Sequence, residues 1–371
     1  MNFWKNSGGS VKRKNPQKTK TTTMNRVDLL KQLAEAVGVS GAEDEVRALI
    51  VDAIEGHVDE WRVDTMGNII ALKKGTGKIS LRGMVVAHMD EVGFMVVGHD
   101  SSGLLSVESI GGIDAKILPA LRVVVGEDKL PGVFVWKPIH FGSDNGIISI
   151  QNMRVDIGVT TKEAAKNAAP FGTRVAFDSQ YITLRDSVVR CKAFDDRAGC
   201  TELITLCQSD PFPFDLYAVF SVQEEVGLCG ATVLTAAVQP DFAIILEATA
   251  CHEIPQDPDE PDMTTVTRLG QGPAISYMDR TSIAHPGLLR HFVKTAESEG
   301  IPHQFRSPQF AGGTDAGVIH KSGAGVPTLG VSLPCRYLHS PYSIISLTDF
   351  DHTVQLVRTA LMRLTPSALE R

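Results

Sequence analysis

Five short stretches carry most of the side chains that could do chemistry. His88 and Asp90 stand in Ala87-His88-Met89-Asp90, directly after an apolar run. Asp195 and Asp196 belong to Phe194-Asp195-Asp196-Arg197-Ala198-Gly199, and Glu224 and Glu225 to Gln223-Glu224-Glu225-Val226-Gly227. Glu247 follows Phe242-Ala243-Ile244-Ile245-Leu246, and His339 lies in Tyr337-Leu338-His339-Ser340-Pro341. Taken singly, each has an ordinary structural reading; the aspartate pair, for instance, reads as an acidic helix N-terminus. Together they offer two imidazoles and several carboxylates without sulfur, a donor set that suits zinc, cobalt or manganese. In two-metal hydrolases, ions about 3.5–4 Å apart share a bridging ligand and activate a water. Such a centre also needs one carboxylate free of metal, to take the water's proton and hand it to the leaving group. Two adjacent carboxylates closing a buried strand repel each other and lose solvation unless something positive lies between them. Neighbouring side chains on a strand also point in opposite directions. One ligand and one acid–base group is therefore the natural division of the Glu224–Glu225 pair.

The elements that must hold these groups are legible as hydrophobic patterns. Asn25 is a helix N-cap ahead of Leu29, Leu30, Leu33 and Ala34, with Gly38 closing the helix. A second helix follows Ser40, with Val46, Leu49, Ile50 and Ile54 on one face. Strands are expected over Ile69–Leu72 and Ile79–Ala87, the latter apolar enough at its end to be buried on both faces. After Asp186, helix and strand alternate: helix Arg197–Leu206, strand Leu216–Val222, strand Phe242–Leu246, helix Gly287–Ser298, strand Thr328–Val331, helix Thr348–Arg363. Nearly all the chemical groups then fall at the carboxyl ends of strands, where open α/β sheets bind ligands. Between Phe94 and Thr183 the texture differs. Short β-rich runs (Phe94–Val97, Leu104–Val107, Leu121–Val125, Val133–Trp136, Ile147–Ile150, Arg174–Phe177) are broken by turn residues and one helical stretch, Lys162–Ala168. That is the signature of a small barrel or sandwich. The fold expected is α/β, a mixed sheet with helices on both faces, interrupted by an inserted small β-barrel.

Length and charge narrow the function. The 371 residues suggest two domains, or one with a large insertion. No apolar run approaches the roughly 20 residues that span a bilayer. Residues 1–24 hold six of the 36 basic side chains and no acid, and read as a disordered basic tail; Met24 is a candidate start. The remainder carries 30 basic against 43 acidic side chains, a poor nucleic-acid binder suited to cations or substrates with a free amine. Six scattered cysteines without paired spacing, and no leader-like apolar segment, point to buried thiols in a reducing, cytoplasmic setting.

The order of these motifs resembles the tetrahedral (TET) and glutamyl-aminopeptidase-like family of dinuclear metalloaminopeptidases. The resemblance extends over nearly everything after Asn25 and includes Ser40-Gly41-Ala42-Glu43 and Gly312-Gly313-Thr314-Asp315-Ala316. It implies a catalytic metallopeptidase domain from residues 25–93 and 184–371, with the 94–183 insertion as a dimerisation barrel. It implies two divalent ions per subunit (zinc, cobalt or manganese), one held by His88, Asp195 and Glu247. Asp195 would bridge to a second ion held by Glu225 and His339. Glu224 would be the general base and acid, and Asp90 would orient His88. Where many members have Asp, this chain has Glu247, whose longer arm still reaches a metal and alters at most the metal preference. Implied partners are short peptides and further copies of the chain, as dimers or a tetrahedral dodecamer, with no nucleic acid or membrane. A cellulase label attached to some members does not suit the residues, since a glycosidase needs two carboxylates free of metal.

The reaction expected is removal of N-terminal residues from short peptides. A deacylase or carboxypeptidase on the same scaffold, or a non-catalytic assembly protein, are the alternatives. Against the last, neither Glu224 nor any ligand is missing. Two readings stand for Arg197, pairing with Asp196 or lying near the site. Two also stand for Gly312-Gly313-Thr314-Asp315, a helix N-cap at Thr314 or Asp315 or a close backbone approach to substrate; Gly111-Gly112 reads as a plain loop.

Overall fold

Asn25 caps the first helix through its side-chain oxygen, which accepts from the Val27 N–H at 3.2 Å. This helix, α1 (Arg26–Glu35), ends at Ala36, before Gly38, and α2 (Asp44–Ile54) follows. The computed structural model describes residues 25–138, 140, 149–251, 267–306 and 312–371. The tail expected over 1–24 lies outside them, as do residues 147 and 148 of the strand expected over 147–150; the other two are not strand, Ser149 preceding a 3-10 turn over Ile150–Asn152.

The chain lays down β1 (Glu60–Val63), β2 (Ile69–Lys73) and β3 (Arg82–His88), then leaves the main sheet for the insertion. There β4 (Gly93–His99), β5 (Leu105–Ile110), β6 (Arg122–Val125), β7 (Leu130–Phe134), β8 (Arg154–Asp156) and β9 (Arg174–Phe177) close into a barrel of order β4-β5-β8-β7-β6-β9. Helix α3 (Lys162–Ala168) spans the residues its pattern predicts. Phe94 fills the barrel with Phe134 and Phe177, ring centroids 4.9 and 5.7 Å away and edge-on. Each buried ring of this kind contributes about 1.5–3 kcal/mol.

Beyond the barrel come β10 (Ile182–Arg185), β11 (Val188–Cys191), α4 (Phe194–Gln208), β12 (Asp215–Ser221), α5 (Leu234–Val238) and β13 (Phe242–Ala250). Then follow β14 (Ala274–Ser276), α6 (Pro286–Glu299), β15 (Gln304–Phe305), α7 (Ala316–Ile319), β16 (Thr328–Cys335), β17 (Ser343–Ser346) and α8 (Leu347–Arg363). The main sheet runs β1-β2-β12-β3-β13-β16-β14-β15. Its centre, β12-β3-β13-β16, is parallel, and β2 and β14 flank it antiparallel. Residues of α4, α6 and α8 pack with those of α1 and α2 in one core on one face, while α5 and α7 contribute to another with Val86, Val219 and Ile245. The fold is thus the expected α/β sheet covered on both faces, with an inserted small barrel.

Three differences from the sequence reading have physical causes. Strand β1 carries Glu60 and Arg62 and is half-exposed, so it lacks a buried strand's apolar run. The small sheet β10-β11-β17 joins a local hairpin to a strand far along the chain, and no local pattern reveals the β11–β17 register. Strand β13 does not end at Glu247 but continues to Ala250, its last residues pairing in parallel with β16. Among the described residues, no helix is long and apolar enough to cross a membrane.

Candidate metal centre

The parallel strands aim their carboxyl ends at one corner of the molecule. His88 is the last residue of β3, and Ser221, the last of β12, pairs with it. Glu224 and Glu225 follow in the next turn, and Glu247 rises from within β13. Asp195 stands at the irregular first turn of α4, where it and Asp196 depart from helical dihedrals and are joined by a cis peptide bond. His339 lies in the loop between β16 and β17 with a φ of 57°.

These residues form two groups that share one member. In the first, ligand atoms of His88, Asp195 and Glu247 lie within 4.8 Å of one another; in the second, those of Asp195, Glu225 and His339 do. Asp195 divides its oxygens between them, Oδ1 lying 3.1 Å from His88 Nε2 and Oδ2 3.3 Å from His339 Nε2. Glu247 Oε2 is 3.8 Å from His88 Nε2, and Glu225 Oε1 is 3.4 Å from His339 Nε2. The opposite nitrogen of each ring faces a fixed oxygen: His88 Nδ1 is 3.3 Å from Asp90 Oδ1, and His339 Nδ1 is 2.7 Å from the Gly112 carbonyl. Neither Glu224 nor Asp90 belongs to the two groups.

Asp90 is held from several sides. Its carboxylate accepts from Ser40 Oγ at 2.7 Å and from the backbone N–H groups of Glu224 and Glu225 at 3.0 and 3.2 Å. It therefore holds the turn that carries the two glutamates, and it stands beside the His88 ring. Asp196, to which the motif pattern gives no role, has a buried carboxylate that accepts from the His88 and Gly199 N–H groups, tying β3 to α4. Arg197 does not pair with Asp196. It is wholly buried, donating to the carbonyls of Met89 and Leu33 and lying 3.2 Å from Glu91, which also meets Lys192 at 2.7 Å. Asp315 stands at the N-cap position of α7 but does not cap it; its Oδ2 accepts from Ser221 Oγ at 2.6 Å.

The electrostatics are those of anions confined without enough cations. Burial drives Glu224 and Glu247 well above the ordinary carboxylate range, helped by neighbouring acids. Glu225 rises to about 7 through burial and the nearby Asp195. Burial opposes charge on His339, but Asp195 and Glu225 outweigh it and raise the ring to about 9. On His88, too, burial works against charge and the Asp195 and Asp90 carboxylates overcome it, well above the usual histidine range. Burial likewise resists ionisation of Asp195, yet the two histidines hold it below its ordinary value. Glu225 Oε1 is buried without a hydrogen-bond partner. Nitrogen and oxygen donors converging in this way, with a buried acceptor unsatisfied, fit divalent cations.

A family match extends over residues 67–356, in the M42 glutamyl aminopeptidases. The chain belongs to the M42 glutamyl aminopeptidase family. Its members are hydrolases of peptide bonds, and relatives of this M42 chain match it along most of its length. A lysyl aminopeptidase of Pyrococcus furiosus is 32% identical over 348 residues, covering 91% of this chain and 97% of that protein. The solved aminopeptidase of Desulfurococcus kamchatkensis superposes with a TM-score of 0.87 at 32% identity, covering 93% of this chain and 96% of its own. The TET1 peptidase of Pyrococcus horikoshii, which assembles into a tetrahedron or a large octahedral shell, does so at 0.82 and 30%, covering 92% of this chain and all of its own. The fold and the family expected from the motifs are therefore those observed.

Proposed function

We propose that this M42 member is a dinuclear metalloaminopeptidase that removes N-terminal residues from short peptides. The observation that carries the reading is the division of Asp195, one oxygen facing each histidine at 3.1 and 3.3 Å. His88, Asp195 and Glu247 would hold one ion, and Asp195, Glu225 and His339 the other. Bound there, zinc, cobalt or manganese supplies Lewis acidity that acidifies a water and polarises the scissile carbonyl.

The chain's own residues do the rest. Asp90 beside Nδ1 orients His88 so that Nε2 points into the cluster, as carboxylates do for ligating imidazoles. Gly112 does the same for His339. Glu224, in neither group, is the proton carrier: its carboxylate takes a proton from the attacking water and delivers it to the leaving amine. Burial and neighbouring acids raise that carboxylate's proton affinity, and cations held beside it would lower it again, leaving it ionised to accept the proton. The surplus of acids suits a substrate presenting a free ammonium. Assembly through the 94–183 barrel, as a dimer or a larger tetrahedral shell in the cytoplasm, is supported by its exposed apolar side chains Val133, Val135 and Trp136 and by the assemblies of the Pyrococcus horikoshii relative.

A panel of amino-acid p-nitroanilides, with matching N-acetylated compounds, tests the reaction. Cleavage of the free-amine compounds alone, abolished by phenanthroline, is expected. Cleavage of the acetylated ones, or none at all in the presence of added metal, contradicts it.

A further inference from the structure

We infer that the turn Gly111-Gly112, at the end of barrel strand β5, is a positioning element for His339 and Glu225, so that the insertion builds one half of the metal centre. The inference rests on the dinuclear reading above and adds to it a role for the barrel. The Gly112 carbonyl faces His339 Nδ1 at 2.7 Å across 227 residues of sequence. With Nδ1 committed as the donor, a neutral imidazole carries its lone pair on Nε2. That is the nitrogen 3.3 Å from Asp195 and 3.4 Å from Glu225.

His339 also adopts a φ of 57°, a left-handed conformation that a non-glycine residue keeps only when its surroundings hold it. Two contacts reach its loop from the insertion and its exit: Gly112, and Ser179, whose Oγ donates to the Pro341 carbonyl at 2.6 Å. Gly111 touches the other ligand. It has a φ of 81°, and a Cβ built on it would stand 2.7 Å from Val92 Cγ1 and 3.3 Å from Glu225 Cβ. A side chain there is both strained and obstructed. One glycine thus packs on the stem of Glu225 while the next orients His339. The His88–Glu247 side is fixed differently, with Asp90 and Ser40 behind His88. Disturbing the turn should act on one ion and spare the other.

The test is metal binding, read by zinc competition against a chromogenic chelator, with circular dichroism and light scattering as checks on fold and assembly. Gly111→Val should retain one ion with wild-type affinity and bind the second about 10–100-fold more weakly, the range found when an imidazole loses its orienting partner. Gly112→Ala keeps the carbonyl, and its Cβ would meet His339 Nδ1 at an ordinary 3.5 Å, so it should bind two ions as wild type does. If Gly111→Val does not fold, Gly111→Ala, whose single Cβ meets the same Val92 and Glu225 atoms, takes its place, with the second ion alone weakened several-fold. A folded variant with both affinities unchanged, or both reduced alike, overturns the inference. Wild-type protein that binds no zinc is a separate result, and contradicts the dinuclear reading instead.

Discussion

Glu224 and Glu225 are neighbours with different surroundings. Glu225 meets His339 and Asp195, whereas Glu224 is raised by burial and by Asp315 and Glu225 without joining either ligand group. Glu224→Gln should therefore keep the metals and lower kcat by about 10²–10⁴-fold, the usual worth of general acid–base assistance. Glu225→Gln should instead weaken metal binding. Kinetics with elemental analysis of each variant check this, and the reverse pattern contradicts the assignment. The same residues set a pH dependence in chelator-treated protein. Groups whose folded pKa lies above the unfolded value stabilise below that unfolded value, and the contribution is lost as pH rises through the folded one. Glu225 moves from 4.5 to about 7, and Glu224 and Glu247 shift the same way. Asp195, held low, opposes them only below its ordinary 3.8. Thermal stability of the metal-free protein should thus decline between about pH 4.5 and 7, with the gain from added zinc growing across that window. Flat melting temperatures there would count against it.

At the scale of elements, the start of α4 joins the site to the core. Gly199 leaves room for the Asp196 carboxylate, against which a Cβ would collide. Gly199→Ala should displace Asp196, loosen the His88 backbone it accepts from, and reduce stability and metal affinity together; calorimetry and zinc titration report both. Arg197 gathers the α1 carboxyl end, Met89 and Glu91. Arg197→Met leaves the Met89 and Leu33 carbonyls without this donor, while Glu91 keeps Lys192; it should cost about 1–3 kcal/mol in denaturant unfolding, the penalty for an unsatisfied buried acceptor. Much of this region was legible in sequence because apolar periodicity marks strands such as β3 and β13, and motifs mark their ends. The partners of Arg197 were not, since its contacts join α1, Met89 and Glu91, brought together only by tertiary packing. The same holds for the Gly112 carbonyl, a backbone atom that no residue type announces, and for Asp315, which resembles a helix cap but meets Ser221 instead.

At the scale of the whole molecule, the barrel interrupts the chain between His88 and Asp195 yet returns to touch His339. Val133, Val135 and Trp136 on its surface are 38, 43 and 56% exposed, while Phe134 between them is buried. Replacing Val135 and Trp136 with Glu should shrink the oligomer while leaving the barrel core intact, as light scattering would show; a wild-type monomer of 40.1 kDa at micromolar concentration would contradict an assembly role. The proposed dinuclear centre is tested most directly by counting metal against activity. Chelator-stripped protein is titrated with zinc or cobalt while bound metal and p-nitroanilide hydrolysis are followed together. Two ions per chain are expected, with hydrolysis absent from the stripped protein and restored as they bind. Hydrolysis that persists without metal, or a stoichiometry near zero, would contradict it.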